Sequence, residues 1–160
     1  MVDTKTLNIN LNKNNMKHEF YEDVGFGGRT YSVPGFDILD KEYKILEHLS
    51  GLSGEQVREI VENLEKVKRG EKILRKEGFF KGKPFKIIND YVDLGVDAVG
   101  VYAYGPKAED KALRNKCVIE GNYSDYYKEV PFEEIYTLMK DYLAEIDKWE
   151  KRTGMKKPGW

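Results

Sequence analysis

Two histidines, His18 and His48, and a single cysteine, Cys117, are the chain's whole supply of imidazole and thiol. A Cys–His nucleophile couple needs the thiol beside its base, and nothing in the spacing of the three brings them together. Cys117 falls in an apolar, strand-like run (CVIEG), where a free cysteine usually fills core. His48 lies beside the apolar stripe of an expected helix. Metal chemistry is no better served, because CxxC, HxxxH and HExxH are all missing. Asp90, Asp93 and Asp97 in NDYVDLGVD lack the residue order and closing glutamate of a calcium loop. No metal or cofactor is expected. Asn122-Tyr-Ser is a glycosylation sequon by pattern only.

A phosphate loop is the next candidate. Gly25–Arg29 reads GFGGR, but phosphate loops open a helix whose N-terminus faces the anion and follow GxxxxGK[ST] or GxGxxG. Here Thr-Tyr-Ser-Val-Pro follows, which is strand-like. A turn using positive φ angles explains the glycines better.

Binding chemistry is richer. Ile119–Glu134 (IEGNYSDYYKEVPFEE) carries five acids, one lysine and three tyrosines. Acids steer a basic partner and rigid rings add contact area at low entropy cost. Glu120, Tyr123, Asp125, Tyr126 and Glu129 are the expected partner-binding residues, extended by Asp93 and Asp97. The ordinary alternative is a hairpin followed by an acidic helix start. A second, basic patch comprises Arg29, Lys68, Arg69, Lys72, Arg75 and Lys76, with Phe79 and Phe80 near. Basic and aromatic residues together can hold a nucleic acid or nucleotide. A solvated helix side laced with Glu62, Glu65, Glu71 and Glu77 is the simpler account.

Composition sets the frame for these sites. The chain has 160 residues, a net charge of −1 and eleven tyrosines. That length suits one domain with its own core, and the balanced charge gives no global pull towards nucleic acid or membrane. Charge is segregated, however: Glu62–Lys83 holds eight basic and four acidic residues, and Phe85–Asp147 seven basic and thirteen acidic. One cysteine excludes an internal disulfide, and no apolar run reaches the length of a signal or a span. A cytoplasmic protein is expected.

Local signals then place the elements. Residues 1–16 are a flexible leader or an edge strand, 17–154 one domain, and 155–160 a basic tail. Asp37 or Asp40 caps a helix to about Leu49, with Leu39, Tyr43, Leu46 and Leu49 inward and Gly51 ending it. Ser53 and Gln56 form a capping box, with Leu52 at the staple position. The helix after them buries Val57, Ile60, Val61, Leu64 and Val67, and Gly70 stops it. Residues 71–83 suit a short helix or a strand. Pro84–Gly95 fits a helix opened by proline slightly better than a strand or hairpin. Val96–Tyr104 and Cys117–Gly121 are strands, and Tyr126–Pro131 pairs with the latter. Phe132–Arg152 is a long amphipathic helix with Phe132, Ile135, Met139, Tyr142, Ile146 and Trp149 in one stripe. The sum is an α+β domain, a small mostly antiparallel sheet flanked by helices.

Leu52–Glu71 (LSGEQVREIVENLEKVKRGE), a sheet, and then Lys128–Arg152 (KEVPFEEIYTLMKDYLAEIDKWEKR) as a closing helix resemble small bacterial immunity proteins of polymorphic and contact-dependent toxin systems. These proteins share no active site, so the resemblance transfers no functional residue. It implies a binding protein rather than an enzyme, one that occludes a cognate toxin, often a basic nuclease. Two alternatives stand beside it. One is a phage- or plasmid-borne accessory protein using the basic patch. The other is a small hydrolase using Cys117 and a histidine.

Overall fold

A computed structural model of the chain describes residues 16–24, 31–71, 73–89 and 91–159. The leader before Met16, the GFGGR segment with Arg29, and Lys72 lie outside the described residues. The fold is α+β, with a hairpin, a short helical layer, a four-stranded antiparallel sheet and a long C-terminal helix.

The first hairpin pairs β1 (His18–Asp23) with β2 (Val33–Ile38). A 3-10 helix follows over Lys41–Gly51. It begins after Asp40 and ends at Gly51 as the sequence suggests, but its winding is tighter than α. The spacing explains this. Tyr43, Leu46, Leu49 and Leu52 recur every third residue, which lines them on one edge at three residues per turn. Leu46, Leu49 and Leu52 are buried and Tyr43 packs against the core, whereas Leu39 stays 47% exposed, contrary to expectation. Asp40 provides no side-chain cap to the helix and instead accepts from the Lys17 amide at 3.1 Å.

Helix α1 (Gly54–Lys68) opens on the capping box: Gln56 N donates to Ser53 Oγ at 3.2 Å and Ser53 N to Gln56 Oε1 at 2.9 Å. Val57, Val61, Leu64 and Val67 are buried, and Ile60 is half-buried against the same core. Gly70 ends the helix with φ +75°. Its amide reaches Val67 O and the Glu71 amide reaches Lys66 O, the paired bonds of a left-handed C-terminal cap.

The segment after Gly70 is extended. β3 (Ile73–Phe80) and β4 (Lys83–Asn89) form a second hairpin, and β5 (Tyr91–Asp93) follows. The helix favoured for Pro84–Gly95 is therefore corrected to strand. Pro84 takes the second place of β4 rather than opening a helix, and Lys81 and Gly82, at φ 53° and 76°, close a two-residue turn. Such turns match the twist of paired strands, and residues between two strands on either side have no route into a helix.

β5, β6 (Val99–Tyr104), β7 (Lys116–Gly121) and β8 (Tyr127–Pro131) form the main sheet in that order, every pair antiparallel. Alternation puts Val99, Val101, Ala103, Cys117, Ile119 and Val130 on its inner face, all buried. Helix α2 (Phe132–Thr153) lies against this face with α1 beside it. All six residues of the expected α2 stripe are buried, and each fully buried Ile or Met side chain is worth about 1.5–3 kcal/mol. Arg58 of α1 ties the helices together, 2.7 Å from Asp147 and 3.3 Å from Glu150 of α2. Tyr142 links α2 to the first hairpin. Its ring meets Phe36 edge-on at 4.9 Å, and its hydroxyl lies 2.6 Å from Ser50 O and 3.0 Å from Pro34 O.

Gly154 closes α2 in the left-handed region, and the chain beyond it turns back over the join between the 3-10 helix and α1. Lys157 is 2% exposed there. Its ammonium donates to Ser50 O, Leu52 O and Pro158 O, while its carbonyl accepts from Gly54 N at 3.0 Å. Among the described residues no helix is long and apolar enough to cross a membrane.

Candidate functional site: the outer face of the sheet

The side chains that alternate with the core positions lie on the other face of the sheet, which neither helix covers. Register places Tyr91 across from Tyr104, Asp93 across from Tyr102, and Tyr102 across from Val118. Val118 in turn faces Glu129, and Glu120 has Gly100 on one side and Tyr127 on the other. Directly opposed residues share a face, so four tyrosines and three carboxylates sit together. The Tyr91 and Tyr104 rings are 5.0 Å apart and those of Tyr91 and Tyr102 6.4 Å. Val118 is only 6% exposed, screened by its neighbours. Gly100 leaves room for Glu120, because a Cβ there would come within 3.1 Å of Glu120 Cγ.

Tyr127 donates from its hydroxyl to Glu129 Oε2 at 3.0 Å. That bond raises the phenol's pKa, and burial and the charge of Glu129 add to the rise. Lys116 stands 3.6 Å from Glu129 on the same face. At one end of the sheet the turn between β7 and β8 is pinned to the turn between β5 and β6. Asn122 Nδ2 donates to Asp97 O at 2.7 Å and its backbone amide to Ala98 O at 2.9 Å. Held this way, the β7–β8 turn presents Tyr123, 83% exposed, beside an exposed Asp125.

The seven expected partner-binding residues divide in three. Glu120, Glu129 and Asp93 share the outer face, and Tyr123 and Asp125 stand at its rim. Tyr126 turns the other way. Its hydroxyl donates to the Glu42 carbonyl under the sheet, and burial pushes its pKa up to about 12. Asp97 sits on the β5–β6 turn with φ +55°, its carboxylate 3.4 Å from His48 Nδ1. This pair lines an open cleft of about 650 Å³ beside the 3-10 helix and the start of α1. Tyr91, Tyr102, Tyr104 and Tyr127 are the members of the face absent from the sequence-based set. The signal for them was parity: Tyr102 and Tyr104 alternate with Val101 and Ala103, and Tyr127 is out of phase with Val130 where Tyr126 is in phase.

Of the basic patch, the side chains of Lys68 and Arg69 are described, and both are paired. Lys68 Nζ lies 3.0 Å from Glu133 and over the Tyr136 ring, and Arg69 Nε lies 3.0 Å from Glu71. Arg75 and Lys76 belong to β3. The Cys117 thiol is fully buried, 4.0 Å from Phe132 O, and burial pushes its pKa far up, so a thiolate nucleophile is disfavoured. His18 Nδ1 is occupied at 3.1 Å from Met16 O, its ring edge-on to Phe20. Among the described residues no three His, Cys, Asp or Glu side chains group as a metal site. No protein-family model matches the chain, and neither does any curated protein or solved structure.

Proposed function

We propose that this chain is a cytoplasmic immunity protein that binds a cognate toxin of basic surface, nuclease-like in charge, and occludes its active site. The observation that carries the reading is exposure. Tyr123 and Tyr127 are the two most exposed large apolar side chains among the described residues, at 83% and 54%, and both stand on the β7–β8 hairpin. Glu120, Asp125 and Glu129 surround them. Rigid rings amid acids suit the centre and the steering rim of a protein interface. A catalytic role draws no comparable support, since the cysteine is buried and neither histidine adjoins a nucleophile.

The test is capture of the binding partner from the source strain, followed by an assay of that partner's activity with and without the chain. One stoichiometric basic protein, silenced on binding, is the expected result. Tyr123→Ala removes an exposed aromatic anchor worth about 2 kcal/mol, a roughly 30-fold loss of affinity. Asp125→Lys should slow association and flatten its salt dependence. Both side chains are exposed, so both variants should fold. A partner bound equally by wild type and both variants would place the interface elsewhere, and no silenced partner at all would remove the reading.

A further inference from the structure

The last turns of α2 face the first hairpin across a cavity that the toxin reading does not use. Glu145, Lys148, Trp149 and Arg152 recur at helical spacing and share one side of α2. Opposite them, Glu22 of β1 pairs directly with Pro34 of β2, and Phe20 lies two residues before Glu22 on the same face. Together they line an open cavity of about 260 Å³. Its floor is apolar and held in place. Trp149 is 2% exposed and its indole N–H donates to Ser32 O at 3.1 Å, while the Phe20 ring lies parallel to the Tyr142 ring at 6.1 Å. Its rim pairs each base with an acid: Arg152 Nη2 lies 2.5 Å from Glu22 Oε1, and Lys148 Nζ 3.4 Å from Glu145 Oε1. These four side chains are 39–75% exposed, and ion pairs so open to water are worth little, so a ligand can part them at small cost. Both bonds fall on Oε1 atoms, which leaves each carboxylate a second acceptor, and a guanidinium has more donors than one such bond uses.

We propose that this cavity binds a free α-amino acid with an apolar side chain. The rim charges sum to zero, as the ligand's do. Lys148 and Arg152, one turn apart, take the carboxylate, the acids Glu22 and Glu145 take the ammonium, and Phe20, Pro34 and Trp149 take the side chain. An anion alone would leave the two acids uncompensated, and a cation alone the two bases. Size narrows the ligand further. Small-molecule sites commonly hold about 300–1,000 Å³, and a cavity just below that range has no room for a nucleotide or a peptide chain. The site is separate from the acidic hairpin: at about 1.5 Å per residue, Glu145 stands roughly 20 Å along α2 from Phe132 and the end of β8.

Titration of the isotope-labelled chain with L-leucine tests it, read at the Trp149 indole N–H by nuclear magnetic resonance. Trp160→Phe removes the chain's other indole and so assigns the signal. A saturable shift at millimolar ligand is expected, as suits about nine non-hydrogen atoms. Isocaproate, which lacks the ammonium, and isoamylamine, which lacks the carboxylate, should each bind about tenfold more weakly. Lys148→Gln with Arg152→Gln should weaken L-leucine binding about 10- to 100-fold, and both side chains are exposed, so the variant should keep the native spectrum. Lys151→Gln, outside the cavity, should change nothing. No saturable shift, undiminished binding in the double variant, or the same loss in Lys151→Gln overturns the proposal. Isocaproate or isoamylamine bound as tightly as L-leucine overturns the assignment of a zwitterion.

Discussion

Lys157 offers the sharpest test of how the ends of the fold are held. Its ammonium is buried and bonds the carbonyls of Ser50, Leu52 and Pro158, above the Tyr142 ring at 5.8 Å. Lys157→Met keeps length and apolar volume and deletes the charge. Ser50 O would still have the Tyr142 hydroxyl at 2.6 Å, so the loss falls on the Leu52 and Pro158 carbonyls. A buried acceptor left without its donor costs about 1–3 kcal/mol, and a bond from a charged donor is worth about as much. Against this stands the relief of no longer desolvating an ammonium, which can offset much of the gain. The bonds to three converging carbonyls outweigh that relief, so a net loss of about 1–3 kcal/mol is expected. In urea, at a slope of about 2 kcal/mol/M, the midpoint would drop by roughly 0.5–1.5 M. A Met variant as stable as wild type would show that desolvation cancels the three bonds, and that backbone contacts alone hold the segment.

Two further outcomes follow from burial. Glu134 accepts from the Met16 amide at 3.1 Å, yet its pKa is raised, first by burial and then by Asp40, with the Met16 bond opposing. The folded state therefore binds the proton more tightly than the unfolded state. Stability contributed by this group falls as pH rises from the ordinary carboxylate value through the raised one. Glu134→Gln, which keeps an acceptor, should be at least as stable as wild type at pH 7, with the difference closing by pH 4. A Gln variant clearly weaker at pH 7 in denaturant titrations would reverse the sign. Cys117 should ignore a thiol reagent in the native state and react at the rate of global unfolding; prompt native labelling would contradict its packing.

Much of the fold was legible because its signals are local. The Ser53–Gln56 box, Gly70 and Gly154 as stops, and the α2 stripe each lie within a few residues of what they decide. The failures came where a pattern admitted two periods or needed distant partners. Tyr43, Leu46 and Leu49 fit an α-helix loosely and a 3-10 helix well, and only adding Leu52 separates the two. Pro84 and Gly95 mimic helix boundaries, although the turn at Lys81-Gly82 commits the segment to a hairpin. Parity settles Tyr126 against Tyr127 once Val130 is placed in the core. The burial of Lys157 had no local signal, because two of its three acceptors, on Ser50 and Leu52, lie more than a hundred residues earlier in the chain.

The segregated charge gains a structural meaning from strand order. β5 and β8 are the two edges of the main sheet. The β3–β4 hairpin adjoins β5 through β3, and the acidic tyrosine hairpin ends in β8. Between α1 and α2 the opposite charges meet as ion pairs, Lys68 with Glu133 at the start of α2 and Arg58 with Asp147 towards its end. Pairing there is half-exposed and worth little individually, but it removes those groups from either patch. The net charge of −1 therefore says little about any one surface, because exposed charges act locally, within a Debye length of about 8 Å.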